Sequence, residues 1–131
     1  MHYILESFFV GLYSLTIFWI TNMLGCGLNM NVIAFITGFL KHFLGWFLQL
    51  HFYYCKEKWK CKKHIDNFVV LLVECFLEGV IFVLFYNLLH RQNIMSDARI
   101  FFSIGVILHI LSENLGIHKQ FCESRCYFKK N

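Results

Sequence analysis

The chain has 131 residues, enough for one domain, and 58% of them are hydrophobic, with 16 Phe and no Pro. A soluble domain of this size needs far less apolar surface, so the composition argues against a water-soluble globular protein and for one embedded in lipid. The net charge of +4 is modest and no basic face with interleaved aromatic residues is present, which argues against nucleic acid as a partner.

Four apolar segments predict four helices, each long enough to cross a bilayer at 1.5 Å of rise per residue. In chain order they extend over about 4–24, 32–52, 68–89 and 98–117. Short connections make consecutive helices antiparallel neighbours. The predicted fold class is therefore all-α, an integral membrane four-helix antiparallel bundle that forms a single transmembrane domain over 1–131. The N-terminus lacks a positive region and a small-residue cleavage site, so we expect the first helix to be retained.

Basic residues are concentrated at one end of the predicted bundle, in a loop at 53–66 and a tail at 118–131. The other end carries only Arg91 and Arg99. The positive-inside rule then predicts that the loop, the tail and the N-terminus are cytoplasmic. The loop lysines are candidates for contact with anionic lipid headgroups or with a partner protein, although they could also serve topology alone. They are Lys56, Lys58, Lys60, Lys62 and Lys63.

Glu6 interrupts the first apolar segment only near its start, whereas ionisable side chains lie deeper within each of the other three. An ionisable group at membrane depth costs several kcal/mol unless it has a partner. Steps of three and four residues place these side chains on one face of each helix, beside small residues that allow close helix packing. We predict one buried network in which Lys41 pairs with Glu78 or Glu74 and the histidines complete the hydrogen bonds. Its members are Lys41, His42, Glu74, Glu78, His109 and Glu113.

The predicted network has three interpretations. It could only fix helix register and pairing, or it could conduct protons or ions, which would make the protein a small transporter or channel. A metal site from Glu74, Glu78, His109 and Glu113 is the third, because inward-facing Glu and His are di-metal ligand types. Against it, the paired Glu-x-x-His motif is absent and Lys41 would compete for the carboxylates.

Four of the six cysteines fall at the basic end, namely Cys55, Cys61, Cys122 and Cys126. Their arrangement as two local pairs favours disulfides, while a zinc site and free thiols in a reducing cytosol are the alternatives. Apart from zinc, no cofactor is expected. Neither spacing is the C-x-x-C of thiol oxidoreductases, and no catalytic motif is present, so we do not expect an enzyme.

Two stretches, FITGFLKHFLGWFLQLHFYYC and GIHKQFCESRC, resemble small multi-pass membrane proteins of large DNA viruses. The resemblance implies a structural or assembly role in the virion inner membrane or a host endomembrane, linking membrane to capsid shell, with other membrane or capsid proteins as partners. It also implies that a virus-encoded thiol oxidase could form disulfides on the cytosolic side. A Phe-rich accessory subunit of a complex in the mitochondrial inner membrane would have a similar composition, and stays the alternative.

Overall fold

The structure, a computed structural model, describes residues 2–65 and 67–127. Within these residues the chain forms six helices and one short strand pair. In chain order the elements are α1 (His2–Leu24), α2 (Met30–Phe47), α3 (Leu50–Trp59), β1 (Lys63–His64), α4 (Phe68–His90), α5 (Asp97–Asn114), α6 (Ile117–Arg125) and β2 (Cys126–Tyr127). The two strands pair antiparallel, with Lys63 opposite Tyr127.

Asparagine residues begin two of the long helices. The side chain of Asn29 accepts a hydrogen bond from the backbone N–H of Asn31 at 2.8 Å, at the start of α2. Asn67 does the same at the start of α4, where it accepts from Val69 at 3.1 Å and from Val70 at 3.4 Å. These bonds satisfy donors that the first turn of a helix leaves unpaired, so short polar connections can separate long apolar helices.

The four long helices pack around a shared apolar interior. α2 lies along α4 and α1 lies along α5, while contacts of α1 with α2 and of α4 with α5 close the arrangement. Phe101 of α5 stacks on Phe18 of α1, with ring centroids 4.2 Å apart, and lies 5.5 Å from the Tyr86 ring of α4. Ile33 and Ala34 supply the surface of α2 in the same cluster. All four helices therefore contribute to one core.

Glycines set the closest approach in each of the two main helix pairs. A Cβ on Gly38 of α2 would lie 2.7 Å from the carbonyl oxygen of Glu78, and one on Gly79 of α4 would lie 2.9 Å from that of Phe35. In the other pair, a Cβ on Gly105 of α5 would lie 2.8 Å from the carbonyl oxygen of Val10 in α1. Small residues thus permit near backbone contact, as they do between helices in membranes.

The outer faces of these helices are apolar. Three helices, α1 from Tyr3, α2 and α4, are long and apolar enough to cross a membrane, and α5 with α6 would add a fourth span if the bent pair counts as one. Only 22% of the most apolar stretch of α4 is buried within the protein. Exposed side chains such as Phe76, 57% exposed, and Leu84, 63% exposed, would be unfavourable in water.

Two predicted helices end earlier than their apolar patterns indicate. The second was expected to continue to 52, but α2 ends at Phe47 because Gln49 takes a left-handed backbone conformation, with φ 62°, and starts α3. The fourth was expected to continue to 117, but α5 ends at Asn114 because Gly116, with φ 72°, turns the chain. α1 and α4 begin and end within two residues of the predicted first and third segments.

The expected loop at 53–66 and tail at 118–131 are largely structured. Half of the loop belongs to α3 and more than half of the tail to α6; these two short helices contact one another and are joined by the β1–β2 pair. α6 turns by 74° from α5. We call α3, α6 and the strand pair the cap, since they lie together at the end of the bundle where α2 and α5 finish and α4 begins. Asp66 and residues 128–131 lie outside the described residues.

Candidate functional site: a buried polar network beneath a disulfide-linked cap

Ionisable side chains meet between α2 and α4, in a cluster we call the inner network: Lys41, His42, Glu74, Glu78 and Arg125. The Lys41 ammonium forms an ion pair with the Glu78 carboxylate, and both side chains are largely buried, 14% and 18% exposed. The predicted pairing of Lys41 with Glu78 is thus present in the structure. The two side chains can reach each other because α2 and α4 are in close backbone contact at Gly38 and Gly79. Gly38 lies one helical turn before Lys41, and Gly79 is next to Glu78.

His42 bridges the two glutamates. Its Nδ1 lies 2.7 Å from Oε2 of Glu78, and its Nε2 lies 3.1 Å from Oε2 of Glu74. A carboxylate only accepts hydrogen bonds, so both ring nitrogens must carry a proton for both contacts to be favourable. The geometry therefore fits an imidazolium ion, which adds a second positive charge beside Lys41.

Arg125 is a member of the network that the sequence interpretation missed. Its guanidinium pairs with Glu74, and its side chain is only 7% exposed. Arg125 is one of the basic residues of the tail that indicate topology, but the bend at Gly116 brings α6 back to the start of α4, where Glu74 lies. The charge balance of the predicted network indicates that a cation is missing, because it contains three glutamates and only one lysine.

The structure divides the predicted single network into two. His109 and Glu113 belong to a second cluster, which we call the rim cluster, between α1, α3, α5 and α6. This division corrects the expectation that both would share the partners of Lys41 and His42. It arises because α5 packs along α1, whereas α2 packs along α4. The rim cluster consists of Glu6, Tyr54, Lys58, His109, Glu113 and His118.

Glu113 is the centre of the rim cluster. Lys58 pairs with its carboxylate, the Tyr54 hydroxyl donates to its Oε2 at 2.6 Å, and Nδ1 of His118 lies 2.9 Å from the same oxygen. Burial, together with the Glu113 carboxylate, raises the pKa of Tyr54 above its ordinary value. Tyr54 therefore stays a hydrogen-bond donor and holds α3 against α5.

His109 completes the rim cluster beside the start of α1. Its Nε2 lies 3.6 Å from Oε2 of Glu6, an ion-pair distance that is too long for a hydrogen bond. The His109 ring also lies 4.9 Å from the His118 ring and 6.0 Å from the Tyr3 ring. Glu6 is the one charged residue of the first apolar segment, and a single charge near the start of a helix does not indicate which partner it will have.

Two disulfides close the cap. Cys55 of α3 is bonded to Cys122 of α6, and Cys61 is bonded to Cys126 of β2, across sequence separations of 67 and 65 residues. Each bond joins the cap's two segments, a connectivity that the sequence analysis left open. A helix conformation in α3 and α6 separates the local partners and places each beside a cysteine of the other segment. Cys55 and Cys122 are fully buried, so the bond between them lies in the interior of the cap and holds α3 against α6.

All four of these cysteines form disulfides in this structure, and a disulfide sulfur is not a thiolate ligand for zinc. No group of three or more His, Cys, Asp or Glu side chains that could hold a metal ion occurs among residues 2–65 and 67–127. Glu74 and Glu78 lie in one cluster and His109 and Glu113 in the other, so the alternative metal site is not assembled.

The loop lysines have two different environments. Lys58 forms an ion pair with Glu113 and lies over the Tyr54 ring, 5.4 Å from its centroid. It therefore joins α3 to α5 and is not available to bind lipid or a partner protein. The other four are exposed, and no acidic side chain of the described residues forms an ion pair with them. They are Lys56, Lys60, Lys62 and Lys63.

Comparisons with protein-family models, with curated proteins and with solved structures each find no match to this chain.

Proposed function

We propose that the protein is a non-enzymatic structural or assembly protein of a membrane, in which the four long helices cross the bilayer and hold the cap at one face. α5 would be the fourth crossing, because it lies along α1, itself long and apolar enough to span. The cap would then be available to another membrane protein. On the resemblance to proteins of large DNA viruses, that partner would belong to a capsid shell above an inner membrane.

One observation carries the proposal, namely that the buried charged groups connect structural elements. The inner network joins α2, α4 and α6 through Lys41, Glu78 and Arg125. The rim cluster joins α3, α5 and α6 through Lys58 and His118. Removing either partner of a buried pair would strand a charge, so these contacts fix how the cap sits on the bundle.

The orientation proposed from the basic residues places the cap on the cytoplasmic side. Disulfides are uncommon there, because cytosolic thiols are kept reduced. The proposal therefore needs a thiol oxidase that acts at that face, as the viral resemblance implies. An endomembrane or virion membrane fits this requirement. If the cap faced an oxidising lumen instead, no such oxidase would be needed, but the orientation would be the reverse of the one that the basic residues predict.

Site-specific photocrosslinking in the native membrane tests the proposal. A photoreactive residue replaces Glu57 or Ser124, both exposed on the cap, and in a matched control it replaces Phe76 on the outer face of α4. We expect both cap positions to crosslink to the same protein, and Phe76 to crosslink to lipid. Replacing Cys61 and Cys126 by Ser should weaken the cap crosslinks, since it loosens the surface that carries them.

A transporter or channel would give a different result. Purified protein in sealed liposomes would then conduct protons or ions, and Glu78→Gln would abolish the flux. Such flux, together with no protein crosslinks from Glu57 or Ser124, would contradict the structural role.

A further inference from the structure

The exposed lysines of the cap form a surface that we call the basic collar: Lys56, Lys60, Lys62, Lys63 and Lys119. All five are exposed. We propose that the basic collar binds the headgroups of anionic phospholipids in the leaflet beneath the cap. The inference rests on the proposed membrane placement of the helices, but not on the docking of a partner protein.

Exposed apolar residues accompany the lysines at each place where a long helix meets the cap. Phe47 and Leu48, 65% and 57% exposed, lie where α2 turns into α3. Ile65 and Phe68, 54% and 59% exposed, lie where the chain passes from β1 into α4. Leu115, 72% exposed, lies where α5 turns into α6.

Each of these corners is followed or preceded in the chain by collar lysines. Lys56 and Lys60 follow the first corner, Lys62 and Lys63 precede the second, and Lys119 follows the third. Apolar side chains that end a hydrocarbon region, with lysines just outside them, are typical of a membrane interface. The same combination recurs at three corners that come from three different helices, which fits a continuous lipid surface.

The chemistry of the collar also favours phospholipid. Lys56, Lys60, Lys62 and Lys63 lack an ion-pair partner among the described residues. By contrast, Lys58 and Arg125, which attach the cap to the bundle, are paired with Glu113 and Glu74. Lysine presents a compact charge on a flexible stem, which suits a layer of mobile phosphates. Arginine suits fixed bidentate partners, and the cap's arginine, Arg125, is buried.

Tyr53 adds an interfacial aromatic residue to the collar. It is 65% exposed on α3 and lies three residues before Lys56, so the two side chains share a face of the helix. Tyrosine at such a position combines an apolar ring with a polar tip at headgroup level. Tyr53 and Lys56 therefore give one face of α3 the residue types found at a charged membrane surface.

Lipid retention measured by native mass spectrometry tests the inference. The protein is placed in nanodiscs of equal phosphatidylcholine and phosphatidylglycerol, and the phospholipids retained after release are counted. We expect phosphatidylglycerol to be enriched about threefold or more over phosphatidylcholine. The enrichment should fall at 1 M salt, where the screening length is about 3 Å.

Two variants make the test specific. Replacing Lys56, Lys60, Lys62 and Lys63 by Gln should reduce the enrichment to about one, while the helical content and both disulfides stay as in the parent protein. The matched control, Arg91→Gln with Arg99→Gln at the opposite end of the bundle, should keep the enrichment. Equal enrichment in the parent protein and the four-glutamine variant, or loss of enrichment in the arginine control alone, would overturn the inference.

The result also separates this inference from the proposed function. If the collar binds an acidic protein instead, the lipid ratio stays near one in the parent protein, and the glutamine variant loses the crosslinks from Glu57 and Ser124. That outcome overturns lipid binding and leaves the structural role intact. If the helices do not span a bilayer, the crosslinks from Phe76 to lipid are lost as well.

Discussion

Charged residues in the inner network are stable only as a group. Glu78 contacts both Lys41 and His42, and Glu74 contacts both His42 and Arg125, so no carboxylate depends on one partner. With His42 neutral the four remaining charges already balance, and a protonated His42 adds one positive charge. Such sharing lowers the cost of placing ionised groups inside an apolar bundle.

Replacing Lys41 by Leu should destabilise the bundle by about 3 kcal/mol, near the low end for breaking a buried ion pair, because Glu78 keeps His42 as a partner. The measurement is the free energy of unfolding in mild detergent. The double variant Lys41→Leu with Glu78→Leu should recover much of the loss, since it leaves no unpaired carboxylate. An unfolding curve unchanged by Lys41→Leu would show that the ion pair does not stabilise the bundle.

The pairing of Lys41 with Glu78 could be predicted from sequence, because both lie in the middle of apolar helices where few other partners exist. Arg125 and Glu6 could not be assigned in this way. Arg125 reaches Glu74 only after the bend at Gly116, and Glu6 reaches His109 only because α1 packs along α5. Both contacts depend on tertiary structure that helical periodicity does not specify.

The elements themselves follow the apolar pattern more closely than their ends do. Asn67 and His90 bound α4 where polar residues interrupt the pattern. At Gln49 the apolar pattern continues to Phe52, and a left-handed backbone conformation at a residue other than Gly is uncommon. The break between α2 and α3 is therefore difficult to predict from the sequence. The end of α5 is easier to predict, because a glycine such as Gly116 commonly follows a helix.

The contact of α2 with α4 depends on Gly38. Gly38→Leu should destabilise the protein by about 3 kcal/mol, because the new side chain would overlap the backbone of α4 at Glu78 and Gly79. Gly38→Ala should cost less. Thermal unfolding in detergent measures both effects.

Val32→Leu is the control on the same helix, since Val32 is 43% exposed and therefore lies outside the closely packed contact with α4. The control should unfold at the temperature of the parent protein. If Gly38→Leu does so too, the two helices do not rely on close backbone contact.

At the scale of the whole molecule, the cap and the bundle depend on each other. The cap's disulfides join chain segments on either side of α4 and α5, while Arg125 and Lys58 attach the cap to those helices. Composition predicts a membrane protein, and the positions of the cysteines predict a disulfide framework, but the pairing across segments could not be read from spacing. It required α3 and α6 to be helical and adjacent.

The two ends of the molecule also differ in their reactive groups. The exposed lysines lie in the cap, whereas the exposed free cysteine, Cys26, lies in the connection between α1 and α2 at the other end. If α2 spans the bilayer, these groups face opposite sides of the membrane. Chemical labelling can therefore test the placement with the unmodified protein.

The most direct measurement treats sealed native membrane vesicles of one orientation with a membrane-impermeant amine reagent and a membrane-impermeant maleimide. Mass spectrometry then identifies the labelled residues, and detergent-solubilised protein serves as the control in which both groups react. We predict that reagents added to one face label either Lys62 and Lys63 or Cys26, but never both. Labelling of the lysines and Cys26 from the same face of intact vesicles would contradict the membrane-spanning bundle.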